Sequence, residues 1–362
     1  MFWGATDTAG PTVGDVLRVW DRQPRFLRPN NRPRPAAFSG NITEPRNLGL
    51  GGEEMWGRIA SFWRSHYGGG DWALAVDEAW VRQQLSVEGT IVLGVFEKIE
   101  GGKEGEELVG TIVGRPFNSP VIVGERGVVG DMYVVEGLCV HRRYRGRHLA
   151  GWLIAWIDYS VNRHAPHLIV WSRETGPEDH SITHAAKHMY GFVRGADVSR
   201  RGVALHMPWA RFLDLWEASA PRWSRMDAVF PTSLRASCPS PLDVWCVGNL
   251  LAVVSRTGRV TPDGEAIYEV VWMGCLEGEY ITPGVGVTGA AKQLCETVAA
   301  CLHSRERPVI LFVTDAAHQG GVSSAWGAPW HVGTSGFHTT YLYNYMPPAF
   351  WSCRVMMPRI EI

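Results

Sequence analysis

Apolar residues in the middle of the chain change rhythm across one polar interruption. Met132–Val140 (MYVVEGLCV) is β-branched and apolar apart from Glu136 and Gly137, the composition of a buried strand. From Leu149 onward, Leu149, Trp152, Leu153, Trp156 and Ile157 recur at three- and four-residue steps, which predicts a helix with one buried face. Between them lies His141–His148, HRRYRGRH, with four arginines and two histidines. The cations therefore stand between the end of a strand and the start of a helix. Free backbone N–H groups and the positive end of the helix dipole favour an anion at such a place, and a phosphate or pyrophosphate is the natural occupant.

The same patterning predicts the remaining elements. Residues 1–52 are rich in Pro, Gly, Asn and Arg and read as an extended arm, interrupted by the apolar and aromatic patch Val19–Phe26 (VWDRQPRF). From Glu53 a helix (EEMWGRIASFWRSHY) runs to the cluster Gly68–Gly70, and a second helix covers Asp77–Leu85. Strands follow at Thr90–Lys98 and Leu108–Arg115, joined by the polar loop EGGKEGEE. After the strand–turn–helix come a strand at His167–Ser172 and a helix at His184–Tyr190 that closes on Gly191-Phe192. A second series starts near Val203 with the helix WARFLDLWEA and a Pro/Ser-rich connector around 230–241. It continues with strands at Val244–Ser255 and Ala266–Gly274 linked by TGRVTPDGE, a helix at Ala290–His303, and strands at Pro308–Thr314 and Thr339–Tyr345. Two related α/β units with mostly antiparallel strands are expected, bounded at 53–202 and 203–362.

Composition narrows the partners. The chain has 362 residues, 45% of them apolar, and balances 35 Lys+Arg against 36 Asp+Glu. It lacks the broad basic field that nucleic-acid backbones require, so the local cations are better assigned to a phosphorylated small molecule than to a solvated or nucleic-acid-binding patch. The N-terminal residues show no cationic start followed by an apolar run, and no stretch reaches the ~18 apolar residues of a membrane span. Seven scattered cysteines without a Cys-x-x-Cys pair fit free thiols in a reducing compartment. Other motifs fail on context. The Gly284, Gly286, Gly289 pattern follows Glu279 and Pro283 where a dinucleotide site needs a buried strand. Gly333–Phe337 (GTSGF) is a residue short of a nucleophile elbow. Asp315 and His318 with His303 lack the spacing of metal ligands, and no metal is expected.

The strand–basic-turn–helix resembles the acyl-CoA pyrophosphate motif of the GNAT acyltransferases: Arg143 and Gly146 match it, and His148 replaces its small third residue. LCVH, a basic turn and then LA with LI three residues later resemble protein N-myristoyltransferases more narrowly. VWDRQP (Val19–Pro24) and YLYNY (Tyr341–Tyr345) are similar to that family's N-terminal and near-terminal motifs, in the same order. The resemblance implies two GNAT-like halves sharing a continuous, mixed, mostly antiparallel sheet flanked by helices. It implies transfer of myristoyl from myristoyl-CoA, a co-substrate and not a bound cofactor, to the N-terminal glycine of a peptide by a cytoplasmic monomer. On the acyl-CoA side it points to Val19, Trp20, Leu138, Cys139, Val140, Arg142, Arg143, Arg145, Gly146, Arg147, His148, Leu149 and Ala150. It implies that the backbone amides of Gly137 and Leu138 serve as oxyanion donors, where the family usually has an aromatic at the first position. It makes the carboxylate of Ile362 the base, with Glu361 as the alternative because the tail after the YLYN strand is longer than usual. Ser172 stands where the family has a threonine, and Tyr67, Ser335, Gly336 and Tyr343 fall on the peptide side. There the family's acidic loop and Gly-Asp-Gly are replaced by Gly68–Gly70 with Asp71 and by Thr334, Ser335 and Gly336. Two further readings stay open: a GNAT enzyme with another acyl donor, and a non-catalytic acyl-CoA or acyl-peptide binding protein.

Overall fold

Every element that frames the basic turn follows from local sequence. Strand β6 (Met132–Val140) and helix α3 (Leu149–Asn162) lie where the apolar rhythm puts them. Helix α1 (Glu53–His66) carries two glutamates in its first turn and Arg64 and His66 in its last, matching the helix dipole, and buries Trp56, Ile59, Phe62 and Trp63. Helix α2 (Glu78–Leu85) is capped by Asp77, whose carboxylate accepts the Trp80 amide at 2.7 Å. The computed structural model describes residues 25–26, 33–67, 73–99, 105–117, 132–165, 167–173, 184–198, 202–219, 242–283, 288–306, 309–314, 336–343 and 345–346.

The other strands are β1 (Arg25–Phe26), β2 (Arg46–Asn47), β3 (Ala73–Leu74), β4 (Ile91–Lys98), β5 (Glu106–Phe117), β7 (Leu168–Arg173), β8 (His184–Arg194), β9 (Leu205–Met207), β10 (Leu242–Val247), β11 (Leu250–Val260), β12 (Ala266–Glu277), β13 (Tyr280–Pro283), β14 (Val309–Thr314), β15 (Gly336–Tyr343) and β16 (Tyr345–Met346). Helices α4 (Trp209–Ser219) and α5 (Thr288–Arg305) complete the set. Among the described residues one mixed sheet runs β2-β4-β5-β6-β7-β15-β8-β14-β12-β11-β10-β9, with β13 on β12 and β3 on β11. Its pairings are antiparallel except β6 with β7 and β12 with β14. Strand β15, late in sequence, inserts between β7 and β8, and β8 meets β14, so the two series are stitched together at the centre of the sheet. Among the described residues no helix is long and apolar enough to cross a membrane.

Two expectations are corrected. Residues 184–190 form part of β8 and not a helix: they pair with β15 on one side, and the end of the strand pairs with β14 on the other. Pairing with β15 along the whole segment outweighs the helical preference of a short HAAKHMY run. The strand expected at Val244–Ser255 is a hairpin, β10 and β11, turning at Gly248-Asn249 with Val247 opposite Leu250. That dipeptide is a two-residue turn signal inside an apolar run.

Helix α3 packs on one face of the first sheet region with Ile112, Val135 and Ile169; α1 and α2 pack on the other with Val92, Val113 and Cys139. Gly110 on β5 sets the approach of α3, since a Cβ there would lie 2.9 Å from Leu153 Cδ1. The start of α3, and the turn before it, are thus held close against the sheet.

Candidate functional site

The sheet opens beside the turn. Strands β6 and β7 pair in parallel only from Met132↔Leu168 to Val134↔Val170. Beyond Val134 β7 continues against β15, with Ser172 opposite Thr340, whereas Val135–Val140 keep no strand partner on that edge among the described residues. The other edge of β6 stays on β5, with one irregularity: Thr111 opposes Cys139 and Val113 opposes Glu136, so Ile112 faces both Gly137 and Leu138. This is a β-bulge, and Gly137 adopts φ +62°, the glycine position of such a bulge. A Cβ at Gly137 would stand 2.8 Å from Val113 Cγ2 and 3.3 Å from the Trp63 ring. The glycine that departs from the family pattern is the residue this backbone requires.

A buried relay fixes the bulge. The Trp63 indole N–H donates to the Thr111 hydroxyl at 2.8 Å, and that hydroxyl donates to the Gly137 carbonyl at 3.1 Å. Carbonyl and N–H of one trans peptide unit point in opposite directions. With the Gly137 carbonyl turned to Thr111, the Leu138 N–H is directed away from it, and neither bulge residue has a register partner on β5. One residue earlier, Glu136 forms a buried ion pair with Arg115 on β5.

The turn is tightly organised. His141 caps a short 3₁₀ turn, Arg142–Tyr144, its Nδ1 accepting the Arg143 amide at 3.2 Å. Gly146 (φ +78°) and His148 (φ +62°) both take left-handed backbone conformations. His148 is the N-cap of α3, and its carbonyl accepts the Trp152 amide at 3.1 Å. The small residue of the GNAT pattern at that position therefore answers a positive φ, which His tolerates better than most side chains. The first-turn amides of α3 have no intrahelical partner and face the turn's charges.

The cations divide into two groups. Arg143 pairs with Glu97 on β4 and Glu107 on β5, and Arg145 donates to the His66 carbonyl and, at 3.3 Å, to the Val140 carbonyl. Arg142 and His148 are exposed and make no side-chain hydrogen bond or ion pair with a described residue, and Arg147 rests on the Tyr144 ring at 5.5 Å. The Tyr144 phenol, pushed up first by burial and then by the hydrogen bond it donates to Glu97, stays protonated. His66 and His141 lie 4.0 Å apart by ring centroid; burial lowers both pKa values, and the neighbouring cations lower them further. Burial pushes the Cys139 thiol up to about 12, with Arg145 opposing weakly. Its side chain points into the α1 core and not into the opening.

The structure thus brings together Gly137, Leu138, Cys139, Val140, the turn 142–148, Leu149 and Ala150. Tyr67 closes α1, with its amide on the Trp63 carbonyl at 2.8 Å. Ser172, Gly336 and Tyr343 lie on β7 and β15. Val19, Trp20, Ser335 and Ile362 lie outside the described residues. Sequence reading missed Thr111, Trp63, Glu97 and Glu107. Thr111 had a usable signal, as a lone hydroxyl inside the apolar run LVGTIV.

Residues 77–192, which hold the bulge, the turn and α3, match the acetyltransferase (GNAT) family. A crystal structure of Saccharomyces cerevisiae N-myristoyltransferase with bound myristoyl-CoA is similar over 91% of this chain and 93% of its own, with a TM-score of 0.61 at 12% identity. Another structure of the yeast enzyme, with myristoyl-CoA and inhibitors, is similar over 94% and 90%, with a TM-score of 0.62 at 12% identity. No curated protein matches by sequence. The chain has the doubled GNAT fold of N-myristoyltransferase. As in that two-half fold, one sheet carries both series, and in this chain the glycine bulge at Gly137 and the basic turn occur in the first.

Proposed function

We propose that this protein transfers a myristoyl group from myristoyl-CoA to the N-terminal glycine amine of peptides. The observation that carries the reading is the glycine bulge at Gly137–Leu138 on an open sheet edge, directly before a basic turn and helix N-terminus, in a chain whose fold follows N-myristoyltransferase along more than nine-tenths of its length. Acyl transfer needs an anion cradle for CoA and donors for the tetrahedral oxyanion, and both are supported within one strand–turn–helix.

The neutral amine attacks the thioester carbonyl carbon, forming the C–N bond as the carbonyl electron pair moves onto oxygen. The Leu138 and Gly137 amides stabilise that oxyanion. Collapse breaks the C–S bond, CoA leaves as thiolate and takes a proton, and the amide remains. The amine's proton goes to a carboxylate, Ile362 or Glu361 by the family resemblance, and removing both residues tests this by loss of turnover. Transfer is direct: a Cys139 thiol with a pKa near 12 supplies almost no thiolate for an acyl-enzyme. The first-turn amides at Leu149 and Ala150 and the exposed cations of the turn take the CoA phosphates. Val19 and Trp20 cover the CoA, and Tyr67, Ser172, Ser335, Gly336 and Tyr343 line the peptide side. With its acidic loop replaced, this side carries a weakened preference for basic peptides.

Mass spectrometry of glycine-starting peptides incubated with myristoyl-CoA tests the reading: a mass gain of one myristoyl group at the glycine is expected, and donor binding without acyl-peptide would support the binding-protein reading instead. The match of residues 77–192 to the acetyltransferase family favours a second reading, a GNAT enzyme with a short acyl donor. Calorimetry separates the two, because preference for acetyl-CoA over myristoyl-CoA would reject the long-chain donor.

A further inference from the structure

We infer that Glu97 and Glu107 are positioning residues that hold the basic turn through Arg143, and that Arg143 braces the turn without gripping the CoA phosphates itself. The inference rests on the acyl-CoA reading of this site. Three turn residues converge on two carboxylates that stand opposite each other at the hairpin end of β4 and β5. Glu97 accepts from the Arg143 guanidinium and from the Tyr144 hydroxyl. Glu107 accepts from the same guanidinium and faces His141 Nε2 at 3.7 Å.

One guanidinium against two carboxylates leaves this cluster with an excess negative charge, and the two carboxylates oppose a phosphate approaching Arg143. A single half-exposed ion pair would contribute little. Here the contacts are shared, and Tyr144 is buried beneath them with the Arg143 guanidinium 5.3 Å from its ring centroid. Arg145 ties the far side of the turn to the end of α1 through the His66 carbonyl. The turn is thus clamped from both sides, which aims Gly146, His148 and the α3 amides. Arg142 and Arg147 remain as the exposed arginines of the turn that make no ion pair with a described residue.

Titrating CoA into the full chain and into the Glu97→Gln/Glu107→Gln variant decides the matter, because the two assignments of Arg143 predict opposite signs. If the carboxylates position the turn, the variant binds CoA roughly tenfold more weakly, Arg143→Ala reproduces that loss, and combining the changes adds little. If Arg143 is itself a phosphate ligand that the carboxylates merely neutralise, the variant binds more tightly; tighter or unchanged binding overturns the inference. Salt supplies a readout that general loosening would not move: Arg143→Ala leaves the salt dependence of CoA affinity unchanged, whereas Arg142→Ala reduces it. Should the double variant not fold, Glu107→Gln alone tests the same sign. If the unmodified protein binds no CoA, the acyl-CoA reading fails. The brace is then read from amide exchange over residues 141–150, which speeds up in the glutamine variant if the carboxylates hold the turn and stays unchanged if they do not.

Discussion

The two halves build the same unit and use it differently. In each, a strand bulges, a helix follows, and a parallel strand returns: β6, α3, β7 in the first and β12, α5, β14 in the second. Strand β12 also carries one extra residue, since Val253 opposes Trp272 while Val254 opposes Val270. There the resemblance stops. β12 and β14 stay paired over five residues, from Ala266↔Val309 to Val270↔Val313, and β13 folds back onto Gly274–Glu277 farther along the strand. The bulge residues Val271 and Trp272 are buried against Phe212 and Trp216 of α4. In the first half pairing stops after three residues, the bulge residue is glycine, and the stretch before the helix holds four arginines. The equivalent stretch of the second half, residues 278–287, holds one glutamate and no cation. A bulge is thus a geometric device that packing can fill or leave open, and only the open one can serve an anionic intermediate.

The largest expected effect falls on the filled unit. Trp272 is fully buried, with ring centroids 5.7 Å from Phe212 and 5.4 Å from Trp216. Trp272→Ala should cost about 3–5 kcal/mol of stability, read from denaturant midpoints, and leave CoA affinity of the folded fraction unchanged. A loss of CoA affinity in the folded protein would show that the second unit takes part in donor binding and would break the asymmetry. Gly137→Ala is its counterpart in the open unit. Its Cβ meets Val113 at 2.8 Å in a left-handed conformation, so the bulge must shift. Turnover should fall about 100-fold, the scale of losing one oxyanion donor, with a stability cost of about 1–3 kcal/mol. Unchanged turnover at reduced stability would remove the bulge from the chemistry.

The basic turn sharpens the contrast at smaller magnitude. Arg142→Ala and Arg147→Ala should each weaken CoA binding roughly tenfold by calorimetry, the scale of one charge-assisted hydrogen bond. Their local frame was legible in the sequence: β6 and α3 lie as their apolar spacing predicts, because packing and periodicity agree there. The division of labour among the arginines was not legible. It depends on Glu97 and Glu107, 46 and 36 residues from Arg143 in sequence, which the β4–β5 hairpin brings to the turn. Nor could β8 be read locally, since both of its partners, β14 and β15, come from the far end of the chain. Local pattern fixes elements with a buried face of their own; elements defined by distant edges take their structure from the sheet.

The smallest effect concerns acid. His66 and His141 lie against each other at the open unit with their rings tilted by 44°, and both pKa values are lowered, first by burial and then by the surrounding cations. A histidine lowered in the folded state is neutral in both states above its unfolded pKa of about 6.5, so it contributes no pH dependence there. As pH falls through that value the unfolded chain takes the proton first, and stability drops until the folded pKa is reached. Acidification from about pH 7 to 5 should therefore loosen the first unit ahead of the second. Amide exchange, corrected for its intrinsic pH dependence, should accelerate at the start of α3 while that of α5 stays constant. The double variant His66→Gln/His141→Gln should remove the difference, because glutamine cannot titrate. Equal acceleration in both helices would mean that acid acts on the whole sheet, and the histidine pair would then not be what distinguishes the open unit.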